Sequence, residues 1–231
     1  MKSFLRLGLT TIAIVLFFNA FAVSETKAQA GTVNEILRRM ENNRNTMKTL
    51  RSNVTMVKYD SVLKEAEKVE GKSIYLPTKG RDALVRIDWT KPEETLAVVN
   101  GKYVIYRPRL KQAIVGNVKD AKGNGKANGA LSFMNMSKEQ LKTNYTIKYL
   151  GEEKLSNGTA TWHLELTPKA ATKYKMAEIW VDGNGMPVQA KVIESNNDTT
   201  TVLLSDFEKN AKINASQFEV KLPKGTQIIK G

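Results

Sequence analysis

The sequence predicts a mainly β protein built on one strongly curved antiparallel sheet or barrel, with one long helix and one short helix. Three observations predict this fold. Apolar and polar residues alternate from residue 54 onwards, as in strands that bury one face. Turns rich in Asn and Gly separate the alternating runs at short intervals, which indicates about ten strands in antiparallel order. A helical period persists over several turns only near the N-terminus.

The first thirty residues are predicted to be a targeting segment. Lys2 and Arg6 precede an apolar run from Leu7 to Val23, and Ala28-Gln29-Ala30 gives the small-x-small pattern that signal peptidase cleaves. The alternative is an uncleaved membrane anchor, because the apolar run is just long enough to span a bilayer. Since the cleavage pattern directly follows the run, we expect a cleavable signal peptide and export from the cytoplasm. The predicted units are residues 1–30, the signal peptide, and residues 31–231, the binding domain.

The 231-residue chain contains no cysteine and carries a formal net charge of +13. Without thiols it can form neither disulfides nor Cys-type zinc sites, so an exported domain of this sequence depends on its apolar core. The positive charge favours acidic partners, which are anionic lipid headgroups, acidic proteins or nucleic acid. Export and the lack of a zinc-finger, RNA-binding or recognition-helix pattern argue against nucleic acid.

The segment after the predicted cleavage site is expected to form an amphipathic helix. Thr32 and Glu35 fit a capping box with Thr32 as N-cap. We expect this helix to cover a core, and the alternative is a helix that lies on a membrane surface. Its apolar stripe consists of Val33, Ile36, Leu37, Met40, Met47 and Leu50.

The alternating runs that follow are predicted strands. Asn100-Gly101 is the strongest hairpin signal, because both turn positions need a positive φ. It joins Thr95–Val99 to Lys102–Tyr106. The other predicted strands are Val54–Met56, Val85–Trp89, Tyr145–Tyr149, Thr161–Thr167, Met176–Val181, Val188–Ile193, Thr200–Phe207 and Phe218–Leu222.

One segment interrupts the strands. Gly116 to Gly129 contains four glycines and is predicted to be a loop. An apolar run from Ala130 to Met136 follows it, and Ser137 with Gln140 predicts the cap of a short helix. The loop and the helix are either a lid or simply a helix packed on the sheet, and the sequence favours neither.

Residues that could carry catalysis are sparse. His163 is the single histidine and cannot form a multi-histidine metal site. No nucleophile elbow, phosphate-binding loop or dinucleotide fingerprint occurs. We therefore expect a binding protein without catalytic residues, metal or cofactor. A run of cations that precedes the predicted lid is either a solvated loop or a collar facing an acidic partner. These cations are Arg107, Arg109, Lys111, Lys119, Lys122 and Lys126.

The segment from Asp88 to Pro108 resembles the signature of the LolA family, periplasmic carriers that move lipoproteins from the inner to the outer membrane. The matching residues are Trp89, Pro92-Glu93, Asn100-Gly101-Lys102 and Tyr106-Arg107-Pro108. Leu166–Lys169, Ile179–Asp182 with Gly185–Pro187, and Phe218–Val220 with Pro223–Thr226 resemble further family segments in order and spacing. The resemblance covers nearly all of residues 32–231.

This resemblance implies a half-open β-barrel whose apolar cavity, covered by helices, takes acyl chains. It also implies a soluble, monomeric periplasmic protein that does not insert stably into a membrane. Its partners would be lipoproteins or related amphiphiles, an inner-membrane donor complex and an outer-membrane acceptor. Arg81 would be the family's lid-gating arginine, although Asp82 stands where the family has proline. The expected cavity and lid residues are Trp89, Leu96, Val98, Leu131, Phe133, Met134 and Met136.

Two other functions remain open at this point. A regulatory sensor of the same fold would bind a lipid or a membrane signalling protein without passing on cargo. A hydrolase acting on an envelope component would depend on His163.

Overall fold

A computed structural model describes residues 29–77, 83–118, 136–172 and 174–231. Within these ranges the chain forms two α-helices, two 3-10 helices and one twelve-stranded sheet. Helix α1 covers residues 29–46, helix α2 covers Lys138–Asn144, and the 3-10 helices are Pro108–Leu110 and Ala215–Phe218. Neither described helix is long and apolar enough to cross a membrane. The strands are β1 Leu50–Asp60, β2 Glu65–Leu76, β3 Leu84–Thr90, β4 Glu93–Val99, β5 Lys102–Arg107, β6 Gln112–Asn117, β7 Tyr145–Lys154, β8 Ala160–Pro168, β9 Tyr174–Asp182, β10 Pro187–Glu194, β11 Thr199–Lys209 and β12 Gln227–Lys230.

The sheet consists of two meanders that meet at its centre. Its strand order is β12-β6-β5-β4-β3-β2-β1-β11-β10-β9-β8-β7. Strands β1 to β6 follow one another across one half, and β11 to β7 follow one another across the other. All pairs are antiparallel except β12 and β6, which are parallel. The sheet is curved and does not close on itself, so the half-open barrel predicted from the sequence is confirmed.

Register places the apolar positions of neighbouring strands on one face. Val54 of β1 lies opposite Leu204 of β11, and Met56 lies opposite both Val202 of β11 and Val69 of β2. These five side chains are buried. Because side chains alternate between the two faces of a strand, this register collects the core on the face that α1 covers. We call it the inner face and the opposite one the outer face.

The predicted hairpin turns have the conformation that their residues favour. Asn100 and Gly101 have φ angles of 51° and 73°, as a type I′ turn between β4 and β5 requires. The turn between β9 and β10 is closed by a hydrogen bond from Gly185 N to the Asp182 carbonyl oxygen, 2.9 Å long. A side-chain oxygen of Asp182 also accepts from Met186 N.

Four predictions of local structure are corrected. Thr32 is not an N-cap, because α1 has already begun by residue 29. Gly116 lies in strand β6 and not in a loop. Phe218–Leu222 is not a strand, since Phe218 ends a 3-10 helix and an irregular segment follows. The count of about ten strands is too low, because β2, β6 and β12 were not predicted.

The segment that replaces the last predicted strand builds a small second core on the outer face. Phe218 is fully buried, and its 3-10 helix packs on β3 and β4. The Arg86 guanidinium anchors this segment by donating to the carbonyl oxygens of Gln217 and Glu219, at 3.1 Å each. Arg86 is held in turn by Asp88, 2.9 Å away. The outer face of β3 and β4 is therefore covered by this C-terminal segment.

Candidate functional site

The inner face is apolar across both halves of the sheet. Ile87, Leu96 and Ile105 lie opposite one another across β3, β4 and β5, and each is at most 7% exposed. In the other half, Leu164 and Ile179 lie opposite one another across β8 and β9 and are fully buried. All five belong to one hydrophobic cluster. The two meanders thus share one continuous apolar surface.

Three of the expected cavity residues lie on this surface. Trp89, Leu96 and Val98 are each 7% exposed and belong to the same cluster, and partly buried Met136 packs against it. The other expected cavity and lid residues, Leu131, Phe133 and Met134, and the expected gating residue Arg81 lie outside the described residues.

Helix α1 is seated directly on the turn between β9 and β10. A Cβ added to Gly185 would lie 2.3 Å from the backbone carbon and oxygen of Arg39, so the helix backbone touches this turn. Asn43, which is buried, donates to the Met186 sulfur at 3.4 Å and accepts from Lys209 Nζ at 2.8 Å. These contacts hold α1 over the second half of the sheet. The apolar side chains that α1 buries there are Ile36, Leu37 and Met40.

Helix α2 is attached to α1 by two side-chain hydrogen bonds, one to Glu41 and one from Lys142 Nζ to Asn34 Oδ1, 2.5 Å long. The predicted capping box of α2 is present, with Ser137 Oγ accepting from Gln140 N at 3.1 Å. Leu141 is the one residue of α2 that is fully buried. Glu41 Oε2 accepts from the backbone N–H of Lys138, at the first turn of α2, at 3.1 Å. One carboxylate of α1 therefore holds the beginning of α2.

A second contact of Glu41 orients a guanidinium near the inner face. Arg44 Nη2 lies 2.7 Å from Glu41 Oε1, and this hydrogen bond is the main reason that the pKa of Glu41 is lowered. Arg44 Nε is buried and has no hydrogen-bond partner among the described residues. Burial raises the pKa of Tyr75 to about 12, although the nearby positive charge of Arg44 acts in the opposite direction. Glu41, Arg44 and Tyr75 thus form a polar cluster at the margin of an apolar surface.

The polar cluster of Glu41, Arg44 and Tyr75 was not predicted from the sequence. Glu41 and Arg44 are three residues apart on α1, a spacing that places them on the same side of a helix. That spacing could have indicated an ion pair between Glu41 and Arg44. Tyr75 could not be found in this way, because it lies on β2, one of the strands that the sequence pattern did not reveal.

A pair of tyrosines lies where α2 leads into β7. Tyr145 is the C-cap of α2, and its hydroxyl lies 2.6 Å from the hydroxyl of Tyr174 at the start of β9. The pKa of Tyr174 is raised, first by burial and then by the hydrogen bond with Tyr145. The Tyr174 hydroxyl therefore stays protonated at neutral pH, and the pair joins the end of α2 to the sheet.

The predicted basic collar is only partly described. Arg107 is paired with Glu94 across β4 and β5, with 2.7 Å between Nε and the carboxylate. Arg109 and Lys111 are exposed at the turn between β5 and β6. The other three collar residues, Lys119, Lys122 and Lys126, lie outside the described ranges. Arg107 therefore lacks the free charge that the sequence suggested, whereas Arg109 and Lys111 present theirs to solvent.

His163 lies on the outer face, because its neighbour Leu164 on β8 faces the inner one. Its ring stacks on Trp180 at a centroid distance of 4.2 Å, and Nδ1 lies 3.0 Å from a carboxylate oxygen of Glu153. Nε2 is buried and points towards Glu178, 3.5 Å away. No hydroxyl is hydrogen-bonded to the imidazole among the described residues, and no metal-binding group of acidic, His or Cys side chains occurs in them. Among the described residues, His163 is therefore not placed as the base of a hydroxyl nucleophile.

Two surface recesses are lined mainly by polar residues. One, of about 290 Å³, lies at the end of the β1–β2 hairpin and includes Lys58, Asp60 and Glu67. The other, of about 350 Å³, lies beside Trp162, over which the Arg39 guanidinium is placed at 5.2 Å. Their charged linings are unsuited to acyl chains. The apolar inner face is the candidate functional surface because its apolar residues form one cluster across both halves of the sheet.

Comparison with known proteins indicates a family for the chain. A family model described as "Outer membrane lipoprotein carrier protein LolA" matches residues 57–221. That range contains β2 to β11 and most of the inner face. No curated protein sequence shows significant similarity to the chain.

Two of the solved structures similar to the chain share its fold at low sequence identity. An uncharacterized conserved protein from Thermus thermophilus is 14% identical, with a TM-score of 0.55 over 87% of this chain and 99% of that one. MucB is also 14% identical, with a TM-score of 0.55 over 86% of this chain and 66% of that one. A LolA superfamily protein from Nitrosomonas europaea, 14% identical, superposes with a TM-score of 0.41 over 81% of this chain and 97% of that one.

Proposed function

The chain belongs to the LolA family of outer membrane lipoprotein carrier proteins, and from this premise we propose that it is a soluble periplasmic carrier of lipoprotein acyl chains. It takes a lipoprotein, or a related amphiphile, from an inner-membrane donor complex and passes it to an outer-membrane acceptor. The carrier acts as a monomer. This role requires binding and release of cargo and no catalytic group.

The observation that carries the proposal is the continuous apolar inner face under α1 and α2. An exposed methylene group costs about 0.8 kcal/mol in water, so an acyl chain can leave a membrane only if a comparable apolar surface receives it. Ile87, Leu96 and Ile105 supply such a surface on one half of the sheet, and Leu164 and Ile179 on the other. Cargo therefore lies between the sheet and the helices.

The two helices differ in how firmly they are attached, which supports a movable cover. Helix α1 contacts the β9–β10 turn through its backbone and buries three large apolar side chains. Helix α2 has seven residues and buries only Leu141 completely. Two side-chain contacts join it to α1: Glu41 accepts from the Lys138 N–H, and Lys142 Nζ donates to Asn34 Oδ1. In the proposed mechanism α2 and the apolar residues before it move aside to admit cargo, while α1 stays in place.

The polar cluster of Glu41, Arg44 and Tyr75 is suited to the polar part of the cargo. An acyl chain attached to a lipoprotein ends in an ester or amide carbonyl, which must find a donor when it leaves water. Arg44 Nε is a buried donor without a partner among the described residues. We place the carbonyl groups of the cargo at this guanidinium and the chains along the inner face.

The proposal is tested with the protein purified from the envelope of its own host. Native mass spectrometry should detect a bound lipid or lipoprotein, and a fluorescent triacylated lipopeptide should displace it. A protein that is purified free of amphiphile and does not bind the lipopeptide would refute carriage.

A pair of variants tests the lid residues. Phe133→Asp places a charge in the proposed acyl-chain site and should abolish lipopeptide binding, while the midpoint of thermal unfolding stays close to that of the wild type. Leu63→Asp is the matched control, because Leu63 is 66% exposed at the tip of the β1–β2 hairpin. The control should bind normally. Normal cargo transfer by Phe133→Asp would remove Phe133 from the lid.

A further inference from the structure

Strand β12 is an exposed end strand of the sheet. It pairs only with β6 among the described strands, and all four of its residues are exposed. Ile228 is 54% exposed and Ile229 is 36% exposed. Exposed apolar residues on an unpaired strand edge are unusual, because such an edge can pair with another chain. We call Gln227–Lys230 the β12 edge.

Part of the backbone of the β12 edge has no hydrogen-bond partner among the described residues. Gln227 N donates to the Lys111 carbonyl oxygen at 2.8 Å, and Gly231 N donates to the Val115 carbonyl oxygen at 2.9 Å. In a parallel pair, alternate residues direct their N–H and C=O groups towards the same neighbour. Residues 227, 229 and 231 therefore face β6. The N–H and C=O groups of Ile228 and Lys230 point away from the sheet.

Four described cations lie on or beside the edge. Arg109 and Lys111 lie on the turn to which β12 is hydrogen-bonded, Lys224 lies on the turn before β12, and Lys230 lies on β12 itself. All four are exposed, and none forms an ion pair within the described ranges. Leu110, between the first two cations, is 60% exposed. The edge thus combines apolar contact area, free backbone groups and positive charge.

We propose that the β12 edge binds an extended acidic segment of a partner protein, which adds to the sheet as a thirteenth strand. The partner's backbone pairs with Ile228 and Lys230, an apolar side chain packs on Ile228, and carboxylates face the surrounding lysines and arginine. This surface is separate from the inner face, and its test requires no lipid.

Charge and backbone chemistry select this occupant over two others. A second copy of the chain would bring its own β12 edge, so cations would face cations at close range. An anionic membrane would satisfy the charges but not the outward N–H and C=O groups of Ile228 and Lys230, which are costly to bury in lipid. An extended acidic segment satisfies both requirements.

The other end strand is less available for such pairing. The carbonyl oxygen of Tyr149 on β7 accepts from Gln29 Nε2 of α1 at 2.9 Å. Strand β7 also has an irregular register between Tyr149 and Gly151. A partner strand at β7 would have to displace the hydrogen bond from Gln29 and follow the irregular register between Tyr149 and Gly151. We therefore assign strand pairing to the β12 edge.

The probe for the test is a capped synthetic octapeptide in which valine and aspartate alternate, titrated into the isotopically labelled protein. On binding, the backbone amide protons of Ile228 and Lys230 should become protected from hydrogen exchange, and affinity should fall as salt rises. An octapeptide with lysine in place of aspartate should not bind. An acidic peptide methylated at alternate backbone nitrogens, which cannot donate to the edge, should bind at least about tenfold more weakly.

Substitutions of Ile228 and Lys230 in the protein test the same contacts with the peptide. Ile228→Pro removes an N–H that points away from β6, so β12 can remain in the sheet. Peptide affinity should fall about tenfold, whereas Ile228→Val should bind normally. Retained protection of the Gln227 and Ile229 amides verifies that β12 has stayed paired. Lys230→Glu should also weaken binding, and its matched control is Lys148→Glu on β7, which should not.

Several results would overturn the proposal. They are no binding of the acidic peptide at millimolar concentration, equal binding of the methylated peptide, and protection at β7 instead of β12. Binding to vesicles of anionic phospholipid without binding of the peptide would assign the edge to a membrane. A dimer in sedimentation experiments that Ile228→Pro dissociates would assign it to a second copy of the chain.

Discussion

The contact between Gly185 and helix α1 gives a quantitative prediction for Gly185→Ala. Gly185 has a φ of 81°, and an alanine there costs about 1–2 kcal/mol in the left-handed region. Its Cβ would also lie 2.3 Å from the Arg39 backbone, so α1 would have to move by about 1 Å to reach ordinary contact distance. Overpacking of this kind costs about 1–3 kcal/mol. The backbone strain and the overpacking together should lower the free energy of unfolding of Gly185→Ala by about 2–5 kcal/mol.

The measurement is urea unfolding followed by tryptophan fluorescence, with Gly183→Ala as the matched control in the same turn. Gly183 is exposed, and a Cβ there meets nothing within 4 Å. The control should therefore unfold within about 0.5 kcal/mol of the wild type. Equal unfolding midpoints for the two variants would refute the close seating of α1 on the turn. A displaced α1 should also change lipopeptide affinity in Gly185→Ala, and the control should leave it unchanged.

Three further substitutions probe the cover and the outer core. Glu41→Gln removes the ion pair with Arg44 and should loosen α2 without releasing it, because the Lys142–Asn34 hydrogen bond remains. The loosening is measured as faster hydrogen exchange in α2, at a stability cost of about 1 kcal/mol or less at neutral pH. Arg44 lowers the pKa of Glu41 in the folded protein. The stability that Glu41 contributes is therefore fully present above pH 4.5, the pKa of the unfolded state, and is lost as the pH falls through the lower pKa of the folded state. As the pH falls through the folded pKa of Glu41, the stability difference between the wild type and Glu41→Gln should therefore shrink. A difference that does not change with pH would contradict the role of Glu41. Tyr145→Phe removes the hydroxyl contact with Tyr174 and should lower the free energy of unfolding by about 1 kcal/mol in chemical denaturation. The pKa of Tyr174, measured by absorbance titration, should be lower in this variant than in the wild type. Phe218→Ala should cost about 3–5 kcal/mol in the same unfolding measurement, and a loss below about 1 kcal/mol would show that the outer core is not needed.

The sequence predicted the elements whose signal is local. Asn100-Gly101 indicated its hairpin because the two residues favour the positive φ angles that they adopt. Ser137 and Gln140 indicated the start of α2 because the capping box is a contact between near neighbours. Trp162, Leu164 and Leu166 alternated regularly enough to reveal β8 and its buried face.

Elements whose burial depends on distant partners were missed. Strand β2 begins with charged and exposed residues, and its burial at Val69 and Tyr75 arises from pairing with β1 and β3. Strand β12 is exposed throughout and is defined only by its parallel pairing with β6. Phe218 looked like the start of a strand, but its burial comes from packing of a 3-10 helix on β3 and β4. The polar cluster at Arg44 was missed for the same reason, since its third member lies on β2.

The central pairing of β1 with β11 has a consequence for the order in which the protein folds. Tyr59 pairs with Thr199, 140 positions later in the chain. Each meander can form from neighbouring strands, but this seam has to wait until nearly the whole chain is available and must meet the entropic cost of closing a long loop. During synthesis from the N-terminus, the first meander would therefore present β1 as an open edge for the longest time. Formation of the β1–β11 pairing, which lies in the middle of the finished sheet, is therefore the step at which the chain is most exposed to mispairing.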